Sequence, residues 1–367
     1  MRKALYLALT VLLSLGLVLG GVAGCGRSGS EGQPSTQAGS ESQSSAQPVI
    51  ELKYADWHTT AMKLGKKNEE TIKKLEERSN GRIKVVPYFG ETLLKTSDIF
   101  RGVATGQADI ALYMHGLTPG VHLLNEVFKL PLGFRDLKQA QEGYNKILDM
   151  FPELQQENEK AGVRWLAIRP MPAYNVNMVS KPVRVPADLK GEKVKAAAMF
   201  ARIVTNAGGG VVDVPPGDVY SAAERKVITG QICPPMALTD FKTDEVFKCH
   251  TFLEPNFAVY GLMGFIINLD TWNKLSPDLQ QLLVEVFREG CEAINDMNVE
   301  EIQEVKAKWG GDPNRKVIEI TPEEAKAWEE AAQAYVEEWI KNTEAKGWPA
   351  RKVYEGARQV AAELSKK

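Results

Sequence analysis

Lys195 and Arg169 are the two cations that the chain's pattern delivers to strand exits, where a positive group can neutralise a carboxylate. Lys195 closes a short strand read over 192–195 and is the first candidate for an anion contact. Its ammonium is a point charge, without the planar fork that fixes a carboxylate through two parallel bonds. Arg169 ends a strand read over 165–169, just before Pro170, and reads equally well as a second anion contact or as an ion-pair partner between domains. Gln231, Cys233 and Pro234 arrive at the same sheet end as Lys195. Trp57, His58, Tyr113, His115, Tyr174 and Tyr260 sit at other strand exits or connections, where flat faces and a few polar tips can wall a ligand.

These residue types suit binding better than catalysis. The sequence has no Gly-x-Ser-x-Gly elbow and no Gly-x-x-x-x-Gly-Lys phosphate loop; its one Gly-x-Gly-x-x-Gly match, Gly24 to Gly29, falls at the export segment and tether without the strand and helix a dinucleotide turn needs, and Gly208-Gly209-Gly210 reads as a helix stop. Four histidines without paired spacing predict no zinc site, and His122 and His250 do not share the strand-exit position of His58 and His115. Cys233, followed by two prolines, reads as pocket lining rather than as a nucleophile.

The elements that must position these groups are legible from periodicity. Over 186–235 a polar turn, a strand, a helix over 197–206, a strand over 211–214 and a helix over 219–227 succeed one another, so Lys195 and Gln231 reach one end of one sheet. Upstream, alternation over 50–54, helical spacing from Ala61 to Leu75, and strands over 83–88 and 108–114 make βαβ cycles. Pro170 to Tyr174 reads as the first crossing between two domains, and an apolar strand over 260–269 as the return. Long helical stretches over 275–305, 323–342 and 350–365 follow, the first two opened by Ser276-Pro277-Asp278 and Thr321-Pro322-Glu323-Glu324.

The stretch over 186–231 resembles the extracytoplasmic solute-binding proteins of TRAP transporters, the tripartite ATP-independent periplasmic carriers, in their dicarboxylate-binding branch. That family runs Pro-x-Asp-Leu-Lys-Gly-x-Lys-x-Arg, then Glu-Val-Tyr-x-Ala, then Gly-x-x-Asp-Gly-Gln. The counterparts here are Pro186 to Lys195, Asp218 to Ala222, and Lys226 to Gln231, with Lys195 in place of the family's arginine and Thr229 in place of its aspartate. Cys233 stands where many relatives carry an asparagine that touches ligand. The resemblance implies a receptor for a small organic anion that hands its cargo to one small and one large membrane permease subunit. It implies no ATP, no cofactor, no catalysis and no nucleic-acid partner, and a monomer is expected. The changes at Lys195, Thr229 and Cys233 leave the cargo open, and the receptor of an ABC importer or a ligand-sensing lipoprotein stays as an alternative. A cell-surface enzyme acting through Cys233 is the reading from a different class.

Reading and resemblance together predict an α/β chain with a two-lobed periplasmic-binding-protein-like fold of type II: each lobe a mixed sheet flanked by helices, with a cleft and a hinge between them. Lobe one takes 49–172 with 261–305; lobe two takes 173–260 with 306–367, the C-terminal helices included. The 367 residues, 44% of them hydrophobic, suffice for two cores, and a formal net charge of -2 gives no basic face for nucleic acid. Residues 1–24 read as a lipoprotein export signal: Arg2-Lys3, an apolar run, then small residues before Cys25, the expected lipidation site at the outer face of the cytoplasmic membrane. An uncleaved membrane anchor is the other reading of that run. Residues 25–48, rich in Gly, Ser and Gln, read as a flexible tether reaching roughly 25 Å. Of the three remaining cysteines at most one pair could bridge, and none is expected to be essential.

Overall fold

The computed structural model describes residues 49–118 and 120–366; the export segment, Cys25 and the tether to 48 lie outside the described residues. Two mixed sheets carry the chain. The first has the order β2-β1-β3-β10-β4, from β1 (Ile50–Ala55), β2 (Ile83–Tyr88), β3 (Ile110–Met114), β4 (Val163–Pro170) and β10 (Leu262–Asn268). The second has the order β11-β9-β5-β8-β6-β7, from β5 (Asn175–Met178), β6 (Lys193–Lys195), β7 (Gly210–Val211), β8 (Gly230–Cys233), β9 (Cys249–Phe252) and β11 (Lys316–Glu319). Strands β1, β2 and β3 are mutually parallel, as βαβ cycles require, whereas β10 runs antiparallel to both its neighbours. In the second sheet the same role falls to β5, antiparallel to β8 and β9. Each sheet thus takes its reversed strand from the segment that has just crossed from the other lobe.

The two crossings run side by side. The Met171 amide donates to the Gly261 carbonyl at 2.9 Å and the Tyr174 amide to the Val259 carbonyl at 3.0 Å, so backbone bonds tie one connection to the other. All seven residues of β10 are buried, which is why this strand reads as a continuous apolar run. Gly264 in its middle is required by close approach: a Cβ there would meet the Ala167 carbonyl oxygen at 2.2 Å. Gly264→Ala must therefore push β10 off β4, and we expect urea unfolding to report a loss of about 1–3 kcal/mol. An unchanged midpoint would show that the two strands separate freely.

The helices are α1 (Lys63–Arg78), α2 (Ile99–Ala104), α3 (Leu137–Met150), α4 (Pro152–Lys160), α5 (Ala198–Asn206), α6 (Val219–Glu224), α7 (Pro235–Asp240), α8 (Leu269–Lys274), α9 (Pro277–Gly310), α10 (Pro322–Glu344) and α11 (Ala350–Leu364). Helix α9 has 34 residues, about 51 Å, and packs on α1, α3 and β4 at one end and on α7 and β11 at the other, so it spans both lobes. The reciprocal cap at Thr321 and Glu324 opens α10, which lies on α5 of the second lobe. Helix α11, grouped from sequence with the second lobe, instead packs on α3 of the first. Its buried stripe, Val353, Ala357, Val360 and Leu364, completes the core there.

Candidate functional site

A cavity of about 650 Å³ lies where the lobes face each other across the crossings, walled by α1 and β4 of the first lobe, α7 of the second, and the C-terminal half of α9. Arg169 is its most distinctive side chain. The guanidinium lines the cavity yet the residue is only 2% exposed, its Nε has no hydrogen-bond partner, and a terminal nitrogen donates at 2.9 Å to the thioether of Met263, a weak acceptor. It has no ion pair among the described residues. Burial lowers its pKa to about 10, so it stays a cation at neutral pH. The sequence places Arg169 correctly at the end of β4; the missing counter-ion is visible only in three dimensions.

His58 lines the same cavity and is held by a residue that sequence reading passed over. Asp56, fully buried, accepts from the Tyr54 hydroxyl at 2.8 Å, from the His58 amide and Nδ1 at 2.8 Å each, and from Asn68 at 2.6 Å. With Nδ1–H given to Asp56, the ring presents Nε2 as its free nitrogen. Asp56 two residues before His58 was the available signal. Trp57 is half-buried and packs between the two apolar clusters of the first lobe, its ring centroid 5.0 Å from that of His58. Pro234 also lines the cavity, and five methionines do so with it: Met62, Met171, Met236, Met263 and Met297.

Lys195, Gln231, Cys233 and Tyr174 gather at the exits of β6 and β8 in the second lobe, outside the lining of that cavity. The Lys195 ammonium donates to the Val214 carbonyl, which already gives it a partner. Burial pushes the Cys233 thiol up to about 12, only partly countered by Lys195, and leaves it protonated at neutral pH. Tyr174, raised to about 12 by burial and then by Cys233 and Glu126, lies on the first crossing. Gln231 is buried with its Oε1 unpartnered. Thr229, the other altered motif position, ties strand ends together: its hydroxyl accepts from the Lys193 amide at 2.9 Å.

Tyr113 and Tyr260, expected as ligand walls, are placed elsewhere. Tyr113 is 0% exposed, donates to Thr118 at 3.1 Å and packs on Phe100 and Trp165, because its strand is central to the first sheet. Tyr260 donates to Glu254 at 2.7 Å and so closes the second crossing on itself. His115 is buried with its ring 5.4 Å from that of His122, a residue that spacing had set apart. Its Nε2 meets the His122 carbonyl at 3.2 Å, and its Nδ1 has no hydrogen bond, with the Glu126 carboxylate 3.8 Å away. Cys233, Cys249 and Cys291 are free thiols, and no group of three or more metal-binding side chains occurs among the described residues.

Two lobes on paired crossings, with a cleft lined by an unpaired cation, have the architecture of a receptor for a small solute. The profile of bacterial extracellular solute-binding protein family 7, DctP, matches residues 57–342, and the chain belongs to that family. It is 29% identical over 223 residues to the 2,3-diketo-L-gulonate-binding periplasmic protein YiaO of Escherichia coli, a match covering 59% of this chain and 65% of that one, just under two thirds of its length. To the C4-dicarboxylate-binding periplasmic protein DctP of Rhodobacter capsulatus it is 25% identical, over 78% of this chain and 84% of the relative. A TRAP solute-binding protein from Desulfovibrio salexigens, crystallised open, superposes with a TM-score of 0.75 at 26% identity, over 86% of this chain and 96% of that one. One from Rhodoferax ferrireducens with copurified benzoate gives 0.71 at 19%, over 87% and 99%.

Proposed function

We infer that this protein captures a small organic acid in the cleft, with the acid's carboxylate paired to the Arg169 guanidinium, and delivers it to the two membrane subunits of a TRAP permease. The observation that carries this reading is the buried, unpaired charge of Arg169 facing a cavity of about 650 Å³. A charge in low dielectric without a counter-ion costs several kcal/mol, and an anionic guest removes that cost only when it occupies the cleft. The relatives support an acid: one is named for 2,3-diketo-L-gulonate, and structural neighbours hold benzoate, galacturonate and mandelate, all carboxylates. His58 Nε2 supplies a hydrogen bond, Pro234 and the methionines an apolar wall, and Lys195 with Gln231 and Cys233 the far side as the lobes close about the crossings. Trp57, Tyr174 and His115 stand behind these contacts. A lipid on Cys25 would hold the receptor at the outer face of the cytoplasmic membrane.

The test compares acids with their own primary amides in a thermal-shift screen of hydroxy, keto, aromatic and dicarboxylic acids of three to eight carbons. We expect at least one acid to raise the melting temperature while its amide, of equal size and no charge, does not. An amide as effective as its acid would remove carboxylate pairing from the account.

A further inference from the structure

The cavity has a second unpartnered charge at its other wall. Asp240, the last residue of α7, lines it from the second lobe and carries no hydrogen bond or ion pair among the described residues. Of the carboxylates around it, only Glu301 has an ion-pair partner among the described residues. Glu301 and Glu304 of α9 line the same cavity, and the nearby Lys63 is engaged with Glu301 at 2.7 Å. His58, Lys63 and Glu301 share the lining with Asp240; partial burial, and then Glu301, raise its pKa above the usual carboxylate range, while His58 and Lys63 pull it down, although the residue itself is exposed. Arg169 lines the cavity from β4 of the first lobe and Asp240 from the end of α7 in the second, so the cation and the anion of the cleft face different parts of a bound molecule. Between them the lining is largely thioether and aliphatic: Met171, Met236, Met263, Met297 and Ala237.

Resting on the reading of the cleft as an acid receptor, we propose that Asp240 sets its specificity: it selects monocarboxylates whose far end donates a hydrogen bond or carries positive charge, across an apolar spacer, and rejects dicarboxylates. Asp240 and Glu304 are exposed and Glu301 half-buried, so a second carboxylate brought to this rim would meet like charge tempered by solvent, a penalty smaller than in a buried site but of the same sign. A hydroxyl or ammonium there gives the Asp240 carboxylate the partner it lacks. The methionines adapt to the spacer without fixing its shape.

The test is a matched series at four, five and six carbons, each length represented by the α,ω-dicarboxylate, the ω-hydroxy acid and the ω-amino acid, titrated calorimetrically into the mature protein and into Asp240→Asn. At the length that binds best, the hydroxy or amino acid is expected to bind at least tenfold more tightly than the dicarboxylate, and Asp240→Asn to shrink that ratio about tenfold. A dicarboxylate that binds the wild-type protein more tightly than both partners of its length, or a ratio unmoved by Asp240→Asn, overturns the proposal while leaving the receptor reading intact. Absence of heat for every member, together with no acid found in the wider screen, overturns both.

Discussion

Arg169→Met is expected to cut affinity for the acid by about 30- to 1,000-fold while raising the melting temperature of the ligand-free protein. Both signs come from one fact. The guanidinium is buried with its Nε unpartnered and a thioether as its hydrogen-bond acceptor, and the Asp56 carboxylate acts on it without forming an ion pair, so the empty receptor holds a desolvated charge that is only partly offset. Methionine fills much of the same volume without the charge, and replacing uncompensated buried charge with apolar bulk is neutral to stabilising. Removing the cationic half of a desolvated pair costs about 2–4 kcal/mol of binding. Arg169→Lys should recover only part of the loss, since an ammonium cannot present the parallel donors of the fork. Lys195→Ala is expected to cost less than tenfold, because the Val214 carbonyl already engages the ammonium. Calorimetry and thermal unfolding on the same three variants check this; a Lys195→Ala loss exceeding that of Arg169→Met would move the carboxylate to the second lobe.

The different surroundings of Lys195 and Arg169 show where sequence stops being informative. Both were legible as cations at strand exits, and both occupy such exits, at the ends of β6 and β4. What separates them is the company each keeps, and that is set by contacts distant in the chain. Val214 lies 19 residues from Lys195, and Met263 lies 94 from Arg169. The alternating strands and the long helices were legible because each carries its own period over many residues. Strands β9 and β11 were not, having four residues apiece and no alternation of their own, since they exist by pairing with each other and with β5. Helix α7 hides behind Pro234-Pro235; Pro234 is its N-cap and Pro235 its first residue, where the missing N–H costs nothing. Asp240, at its far end, was therefore invisible as a cleft residue. Helix α11 was found as a helix and misplaced in space, because an amphipathic stripe states that a face is buried and not against what.

The histidines give the second large effect, on stability and not on binding. His115, His122 and His250 are each held neutral, with pKa values of about 3, chiefly because burial penalises the cation. His122 is the clearest case: its ring sits 4.7 Å from Phe100 and 5.7 Å from Tyr113, neither nitrogen meets hydrogen-bond geometry, and burial followed by His115 outweighs the upward pull of Asn158 and Glu126. His250 is stacked at 3.8 Å on Trp309, with Arg315 beside its Nε2 at 3.3 Å to oppose a second positive charge. An unfolded histidine titrates near 6.5, so below that pH the unfolded chain binds protons that the folded chain refuses, and stability falls as pH falls from about 6.5 towards 3. From pH 7 to pH 5 the loss is on the order of 2 kcal/mol for each such histidine, a large fraction of ordinary domain stability. Glu157, Asp240 and Glu254, each raised first of all by burial, act with the opposite sign over part of this range. The decisive measurement is therefore a difference: urea unfolding of wild type and His122→Phe at pH 7 and pH 5. Phenylalanine suits a site already bounded by rings and cannot take a proton, so the variant should lose about 2 kcal/mol less than wild type over the interval. Parallel losses in the two proteins would mean that the His122 site admits water and the imidazolium, and that acid sensitivity arises elsewhere in the lobe.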